Sequence, residues 1–321
     1  MKRQLLIGID LGGTTIKMAF VESDGDIAEK WEIPTDTSEK GKNISNDIAT
    51  SIRKKANESN IPIESFIGIG MGAPGFIDLD EGYIYNAVNL GWENYPLKED
   101  LENQIGLPVF IENDANIAAL GEMWKGAGNH SDDLICVTLG TGIGGGIISN
   151  GSILHGTNGM AGEIGHITAI HEGGAPCNCG KTGCIETIAS ATGIARIAME
   201  GLENHPNSKL KKRFDAGNSL TAKDVFECAA DNDSWAIDIV KSVTHHLGLT
   251  IANLANALNP SKIVIGGGVS RAGDQLLDPL NVVFNQYALP RVSDGAELVI
   301  ASLGNDAGVI GGAWLVKSNL S

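Results

Sequence analysis

Apolar positions in this chain come in short runs, and several of the runs lead into glycine-rich turns. Residues 4–9 (QLLIGI) end at Asp10 and lead into Leu11-Gly-Gly-Thr-Thr15. A second β-rich run, Ile16 to Val21, reaches Asp24-Gly25, a two-residue hairpin signal, and a third spans Ile27 to Ile33. The pattern predicts strand, glycine turn, strand, hairpin, strand. From Asn43 to Glu58 the period changes: Ile44, Ile48 and Ile52 recur at helical spacing, with Asn43 or Ser45 placed to cap. Phe66 to Met71 and Pro108 to Ile111 read as buried strands, ending in Gly72-Ala-Pro-Gly75 and Glu112-Asn-Asp-Ala-Asn116. A helix is predicted from about Ala115 to Trp124.

The opening pattern then returns. Leu134 to Leu139 is a strand, followed by Gly140-Thr-Gly-Ile-Gly-Gly-Gly146, Ile147-Ile148 and an Asn150-Gly151 turn. Laying Leu139-Gly140 over Leu11-Gly12 brings the second β runs into register and the hairpin turns within two residues. The chain therefore reads as two halves of common plan. Helical stretches follow at about 187–201, 221–230 and 233–257, the last stopped by Asn259-Pro260. Lys262 to Ile265 is a strand running into Gly266-Gly-Gly268, with a helix from about 272. Glu297 to Ala301 is the final strand, and residues 306–317 form a closing helix. The polar, Lys-rich stretch 204–214 reads as a solvated loop.

Composition narrows the class. A chain of 321 residues can bury ample core and suits two domains. A formal charge of −16 argues against a non-specific nucleic-acid binder. No apolar run reaches the ~18–20 residues of a membrane span, and Met1-Lys-Arg-Gln4 leads straight into a strand rather than a signal segment. Of five cysteines, only Cys136 and Cys228 lie outside one cluster, which fits a reducing cytoplasm better than a disulfide framework.

That cluster is the most specific chemistry in the sequence. Cys177-x-Cys179-x4-Cys184, with His166 upstream, offers three thiolates and an imidazole, a Cys₃His set suited to structural Zn²⁺. The alternative is three buried or redox thiols. Glu163 and Glu186 flank the ligands, so a metal here would shape an acidic pocket. The glycine loops Gly12–Thr15 and Gly140–Gly142 present backbone N–H groups for phosphate, assisted by the Thr14, Thr15 and Thr141 hydroxyls, and Gly266–Gly268 adds a third loop. Gly140-x-Gly-x-x-Gly145 imitates a dinucleotide fingerprint, but a β run follows where that motif needs a helix. Asp10, at a strand end beside a loop, can hold Mg²⁺ or merely cap a turn. Asp114 can accept a hydroxyl proton or merely cap a helix.

Taken together and in order, Asp10-x-Gly-Gly-Thr, Gly72-Ala-Pro-Gly, Glu112-Asn-Asp-Ala-Asn, Gly140-Thr-Gly-x-Gly-Gly-Gly, Gly162-Glu-x-Gly-His and Cys177-x-Cys-Gly-x-x-Gly-Cys-x-Glu186 resemble the ROK family of bacterial sugar kinases and repressors. The likeness spans essentially the whole chain and is strongest to the ATP-dependent glucokinases of Gram-positive bacteria. It implies a duplicated α/β fold of the actin-like ATPase (ribonuclease H-like) kind, two domains around a cleft. The boundaries expected are 1–112 and 113–305, with the zinc loop 161–186 in the second and a closing helix 306–321 packing back on the first. It implies Asp114 as catalytic base and Gly72, Asn113, Asp114, Glu163, His166 and Glu186 around a hexose. Asp10, Gly12, Gly13, Thr14, Thr15, Thr141, Gly142 and Gly266, Gly267, Gly268 would bind ATP with Mg²⁺. His166, Cys177, Cys179 and Cys184 would hold structural zinc.

The activity implied is phosphorylation of the glucose 6-hydroxyl. Mannose, fructose, N-acetylglucosamine or N-acetylmannosamine are alternative hexoses, and a silent sugar sensor is the non-enzymatic alternative. Repressors of the family carry a helix-turn-helix before the first glycine loop, for which Asp10 leaves no room. No nucleic-acid or membrane partner is expected, the location expected is cytoplasmic, and family members commonly form dimers or tetramers. Many members place Lys directly after Gly-Gly-Thr; here Thr15 stands there and the lysine is Lys17, on a strand position that can face outward.

Overall fold

The computed structural model describes residues 4–320. Residues 1–3 of the expected lead into the first strand, and Ser321 of the expected closing helix, lie outside the described residues. The first half comprises β1 (Leu5–Leu11), β2 (Thr15–Glu22), β3 (Ile27–Pro34), α1 (Ile44–Glu58), β4 (Phe66–Ala73), β5 (Phe76–Asp78), β6 (Tyr83–Ala87), β7 (Trp92–Tyr95), α2 (Leu97–Ile105), β8 (Val109–Asn113) and α3 (Asp114–Lys125). The second comprises β9 (Leu134–Leu139), β10 (Ile143–Ser149), β11 (Ser152–Ile153), α4 (Glu186–Ala189), α5 (Ala191–Glu200), α6 (Lys209–Asp215), α7 (Ala222–Ala230), α8 (Ser234–Leu258), β12 (Lys262–Gly266), α9 (Asp274–Tyr287), α10 (Pro290–Ser293), β13 (Glu297–Ile300) and α11 (Ala307–Leu320).

The duplication expected from the glycine loops is present in the topology. One five-stranded sheet runs β3-β2-β1-β4-β8 and the other β11-β10-β9-β12-β13. In each, the first two pairings are antiparallel and the last two parallel. The solid apolar runs follow from burial on both faces. Along β1, Leu5, Ile7, Ile9 and Leu11 enter a core shared with α1 and α2, while Leu6 points the other way. Along β9, Ile135, Val137 and Leu139 face the helices of the second half, and Leu134 and Cys136 face inward. The inward faces meet a third core filled by α3 and α11.

Those two helices touch at glycine. A Cβ on Gly311 would lie 1.7 Å from the Ile117 carbonyl oxygen, and one on Gly121 2.1 Å from that of Ala307. Gly8 of β1 and Gly70 of β4 likewise meet the backbone of α11, so the last helix closes onto the first sheet. Glu122, 2% exposed, ties the end of α3 to the approach of α11: it accepts N–H bonds from Ala127, Ser302 and Leu303 at 2.8–3.1 Å.

Three expectations change. Asn43 occupies the N-cap of α1 without a capping side-chain bond, and Ser45 instead bonds Tyr95 and Asp100. The stretch read as one helix over 187–201 breaks at Ser190, whose hydroxyl caps α5 through Gly193 N–H. Part of the expected loop 204–214 is the helix α6, because Asp233 accepts from Ser208 and Lys209 and Leu210 is buried. The small sheet β5-β6-β7 and α2 were not expected from the sequence.

Candidate active site

Three carboxylates meet in one cleft between the two sheets. It is a space of about 430 Å³ lined by Asp10, Asp114, Ala115, Ala118, Thr138, Gly140, Gly142, Ile143, Gly144, Glu186 and Gly267. Asp10 arrives on the end of β1, with Lys17 Nζ 3.0 Å from its Oδ2. Lys17 thus turns into the site rather than outward. Gly12–Thr15 close the β1–β2 hairpin, where Gly12 N–H bonds the Thr15 carbonyl at 3.1 Å. Gly140 N–H bonds the Gly142 carbonyl in the matching β9–β10 turn, and Thr192 at the start of α5 donates to the Thr141 carbonyl at 2.7 Å.

Glycines in β10 explain how the base candidate reaches this turn. A Cβ on Gly144 would lie 3.1 Å from Ala115 Cβ and one on Gly146 2.6 Å from Ala119 Cβ, so α3 lies flat on the strand. On the opposite side Gly145 receives the backbone of Gly162. One run of glycines therefore docks both the helix that begins at Asp114 and the loop that carries Glu163.

At the start of α3 the roles are divided. Asn113, not Asp114, is the N-cap: its Oδ1 accepts from Ala115 and Asn116 N–H at 2.8 and 3.3 Å. The cap uses the amide oxygen and leaves the amide nitrogen for a ligand. Asp114 is the first helical residue. Its surface is open to solvent in the cleft, yet protein surrounds the cleft floor closely enough to desolvate the carboxyl. That burial pushes its pKa up to about 6, the Ala115 N–H bond opposing, and Asp10 and Glu163 adding repulsion. A carboxylate tuned towards neutrality is suited to accept a proton.

A second cavity adjoins this floor. Glu112, Asn113, Asn116, Gly145, Glu163 and Gly75 are among its walls, with Phe76, Tyr85 and Met160 at the rim. Gly72 is not in its lining; it is buried beneath α3, where a Cβ would lie 2.0 Å from Ile117 Cδ1. Glu186 sits on the other side of Asp114, in the first cleft, accepting the Ile143 N–H at 2.8 Å. A Cβ on Gly142 would stand 2.3 Å from its Oε2, so the loop expected to serve phosphate alone is packed on a carboxylate expected to serve sugar.

The four metal-ligand candidates converge. The ligand atoms of His166, Cys177, Cys179 and Cys184 all lie within 4.8 Å of one another. Cys177 Sγ is 3.6 Å from His166 Nδ1, and Cys179 Sγ 3.6 Å from Cys184 Sγ. Tetrahedral zinc with ligands at ~2.0–2.3 Å separates them by roughly 3.4–3.8 Å, so the set fits that ion. With Nδ1 turned to the thiols, His166 Nε2 faces Glu163 Oε2 at 3.9 Å.

Sequence reasoning missed a further space of about 500 Å³ beside Gly268, lined by Ala191, Thr221, Phe226, Glu227, Arg271 and Gln275. Its size falls within the ~300–1,000 Å³ of small-ligand sites. The Gly266–Gly268 loop marked one wall; the others come from α5, α7 and the turn before α9, which no spacing relates. Among the described residues no helix is long and apolar enough to cross a membrane.

Residues 6–319 match the ROK family. The glucokinase of Halalkalibacterium halodurans is 60% identical over 317 residues, 99% of this chain and 96% of the relative. That of Thermotoga maritima is 36% identical over 321 residues, 100% and 99% of the two chains. Among solved structures, a ROK family glucokinase from Streptomyces griseus in complex with glucose and AMPPNP superposes with a TM-score of 0.76 at 34% identity, covering 98% of this chain and 99% of that one.

Proposed function

This chain belongs to the ROK family, and on that premise we propose that it is an ATP-dependent glucokinase, moving the γ-phosphoryl of ATP to the 6-hydroxyl of glucose. The observation that carries the reading is the placement of Asp114, a carboxyl with its pKa near 6, where the Gly140–Gly142 turn meets the cavity of Asn113 and Glu163. In this reading the phosphates of ATP lie over the Gly12–Thr15 and Gly140–Gly142 turns. The space beside Gly266–Gly268, walled by Thr221, Phe226 and Arg271, takes the nucleobase. Asn113 through its amide nitrogen, Glu163, His166 through Nε2 and Glu186 hold the sugar hydroxyls; Gly72 serves by letting α3 approach β4.

Asp114 takes the 6-hydroxyl proton as that oxygen attacks the γ-phosphorus. Most of the acceleration comes from holding the two substrates in line. Asp10 would hold Mg²⁺ arriving with ATP, an ion that keeps much of its water shell and neutralises phosphate charge. His166, Cys177, Cys179 and Cys184 would hold Zn²⁺, which supplies a rigid frame for the 161–186 loop and fixes the His166 tautomer.

We place the lobe boundary as expected, 1–112 with the closing helix and 113–305, with the cleft between. Assembly as a homodimer or homotetramer is our expectation, supported by exposed Val282, Tyr287 and Leu289 around the end of α9. A reducing cytoplasmic setting is supported by the thiols grouped at His166. The test is ADP release in one coupled assay over glucose, mannose, fructose, N-acetylglucosamine and N-acetylmannosamine. Glucose should give the highest kcat/KM. A different preferred sugar corrects the substrate, and ADP release independent of any sugar overturns the reading.

A further inference from the structure

The most deeply buried carboxylate near the cleft is one that the transfer itself does not use. Glu112, on the end of β8, is 3% exposed. Its two oxygens are divided between two parts of the molecule. Oε1 accepts the Asn113 N–H at 2.8 Å and the Asn116 side-chain amide at 2.9 Å, both at the start of α3. Oε2 lies 2.7 Å from Nε2 of His155. His155 stands two residues after β11, so the contact joins the edge strand of one sheet to the segment leaving the edge strand of the other.

We propose that Glu112 and His155 form a positioning clamp for the sugar side of the cleft, fixing the 154–163 loop, and with it Glu163, against the strand end that carries Asn113 and Asp114. This rests on the sugar-kinase reading above. An ionised Glu112 has no proton to give, so His155 is the donor across the 2.7 Å contact. The bond to Glu112 holds the His155 imidazole above its ordinary pKa, with Asp80 adding to the field. Stability alone gives weak grounds for such a group: Glu112 is buried but the His155 side chain is 38% exposed, and solvent screening keeps the net gain of a partly exposed pair small. What the pair does that apolar residues cannot is set a fixed separation between two loops. Glu112, Asn113, Asn116 and Glu163 wall one cavity, so a slip of the 154–163 loop alters the space between the base and the sugar-binding carboxylate. The phosphate turns, at the ends of β1, β9 and β12, are held by other contacts.

Two measurements on the full chain test this. Nitrogen-15 NMR of the imidazoles, with His155→Gln to assign the signal, should show His155 titrating above the ordinary histidine value and falling towards it in Glu112→Gln. An ordinary value in the parent chain overturns the clamp, whatever the activity. In kinetics, His155→Ala should raise the hexose KM by about tenfold or more, the scale of a small misplacement near the reacting atoms. The ATP KM should stay within about twofold, marking loss of positioning at one substrate only. His155→Gln, whose amide N–H reaches as far as Nε2, should recover most of the loss. A parent chain inactive on every hexose sinks the kinase reading. An active parent with an unchanged hexose KM in His155→Ala, or with both KM values raised and no recovery in His155→Gln, sinks the clamp.

Discussion

At the scale of single residues, the site depends on how one carboxyl is surrounded. Asp114 must be ionised to accept a proton, and burial pushes its pKa up to about 6. With a base titrating there, kcat/KM for glucose should fall as pH drops through about 6, each lost unit of ionisation costing rate directly. An acid limb near pH 4 instead would mean that the cleft does not raise the Asp114 carboxyl above the ordinary carboxylate range. Asp114→Asn keeps the shape and loses the proton acceptor, so kcat should drop by at least ~10²-fold with hexose affinity nearly unchanged, measured by steady-state kinetics and calorimetry. The linkage has a definite sign. A carboxyl whose folded pKa lies above its unfolded one adds stability below the unfolded value and loses it as pH rises through about 6. The same variant should therefore keep or raise Tm at neutral pH. Asp114 was legible in the sequence because its motif is local. The Glu112–His155 contact was not, because 43 residues separate partners that meet only when two sheets pack.

At the scale of elements, the glycine loops were legible as turns, but their neighbours were not. Sequence spacing assigns Gly142 to phosphate; the structure lays it against Glu186, whose Oε2 also takes the Ile143 N–H. Gly142→Val should accordingly raise KM for ATP and for hexose together. A change confined to ATP would show that Glu186 moves aside without loss. The convergence of His166, Cys177, Cys179 and Cys184 was legible in the sequence, since four candidate ligands at tight spacing leave few ways to fold. Thiolates must lose protons to bind metal, so acid or a strong chelator should release about one zinc per chain. Cys184→Ala should lose that zinc and weaken hexose binding more than ATP binding while circular dichroism stays near that of the parent. A purified chain without zinc, or wild-type sugar affinity in Cys184→Ala, would leave the cysteines as packing groups. The β5-β6-β7 sheet escaped notice because its strands are three to five residues long and mix polar with apolar positions. The helix α6 escaped because the anchor of its cap, Asp233, lies 25 residues beyond Ser208.

At the scale of the whole molecule, the two halves repeat a sheet but do not fold as two separate beads on the chain. The first sheet is completed by the last helix. On its inner face β1 and β4 offer Gly8 and Gly70, which have no side chain to cover the surface, and the backbone of α11 fills that space. Val309, Ile310 and Val316 of α11 are at most 5% exposed in the core shared with Leu6 and Ala19. Burial of three such side chains contributes roughly 5–9 kcal/mol. Net stability of a folded chain is only about 5–15 kcal/mol, so this single helix weighs as much as the whole margin. Removing residues 306–321 should therefore unfold the first half, although every strand of its sheet lies upstream of residue 114. Far-UV circular dichroism and limited proteolysis of the truncated chain would read this directly, with cleavage expected first within 4–112. Supplying 306–321 in trans should restore protection in proportion to its concentration, by mass action. A truncated chain as protease-resistant as the parent would mean that the first sheet closes its inner face by other means, and that the lobe ending at residue 112 is independent of the chain's end.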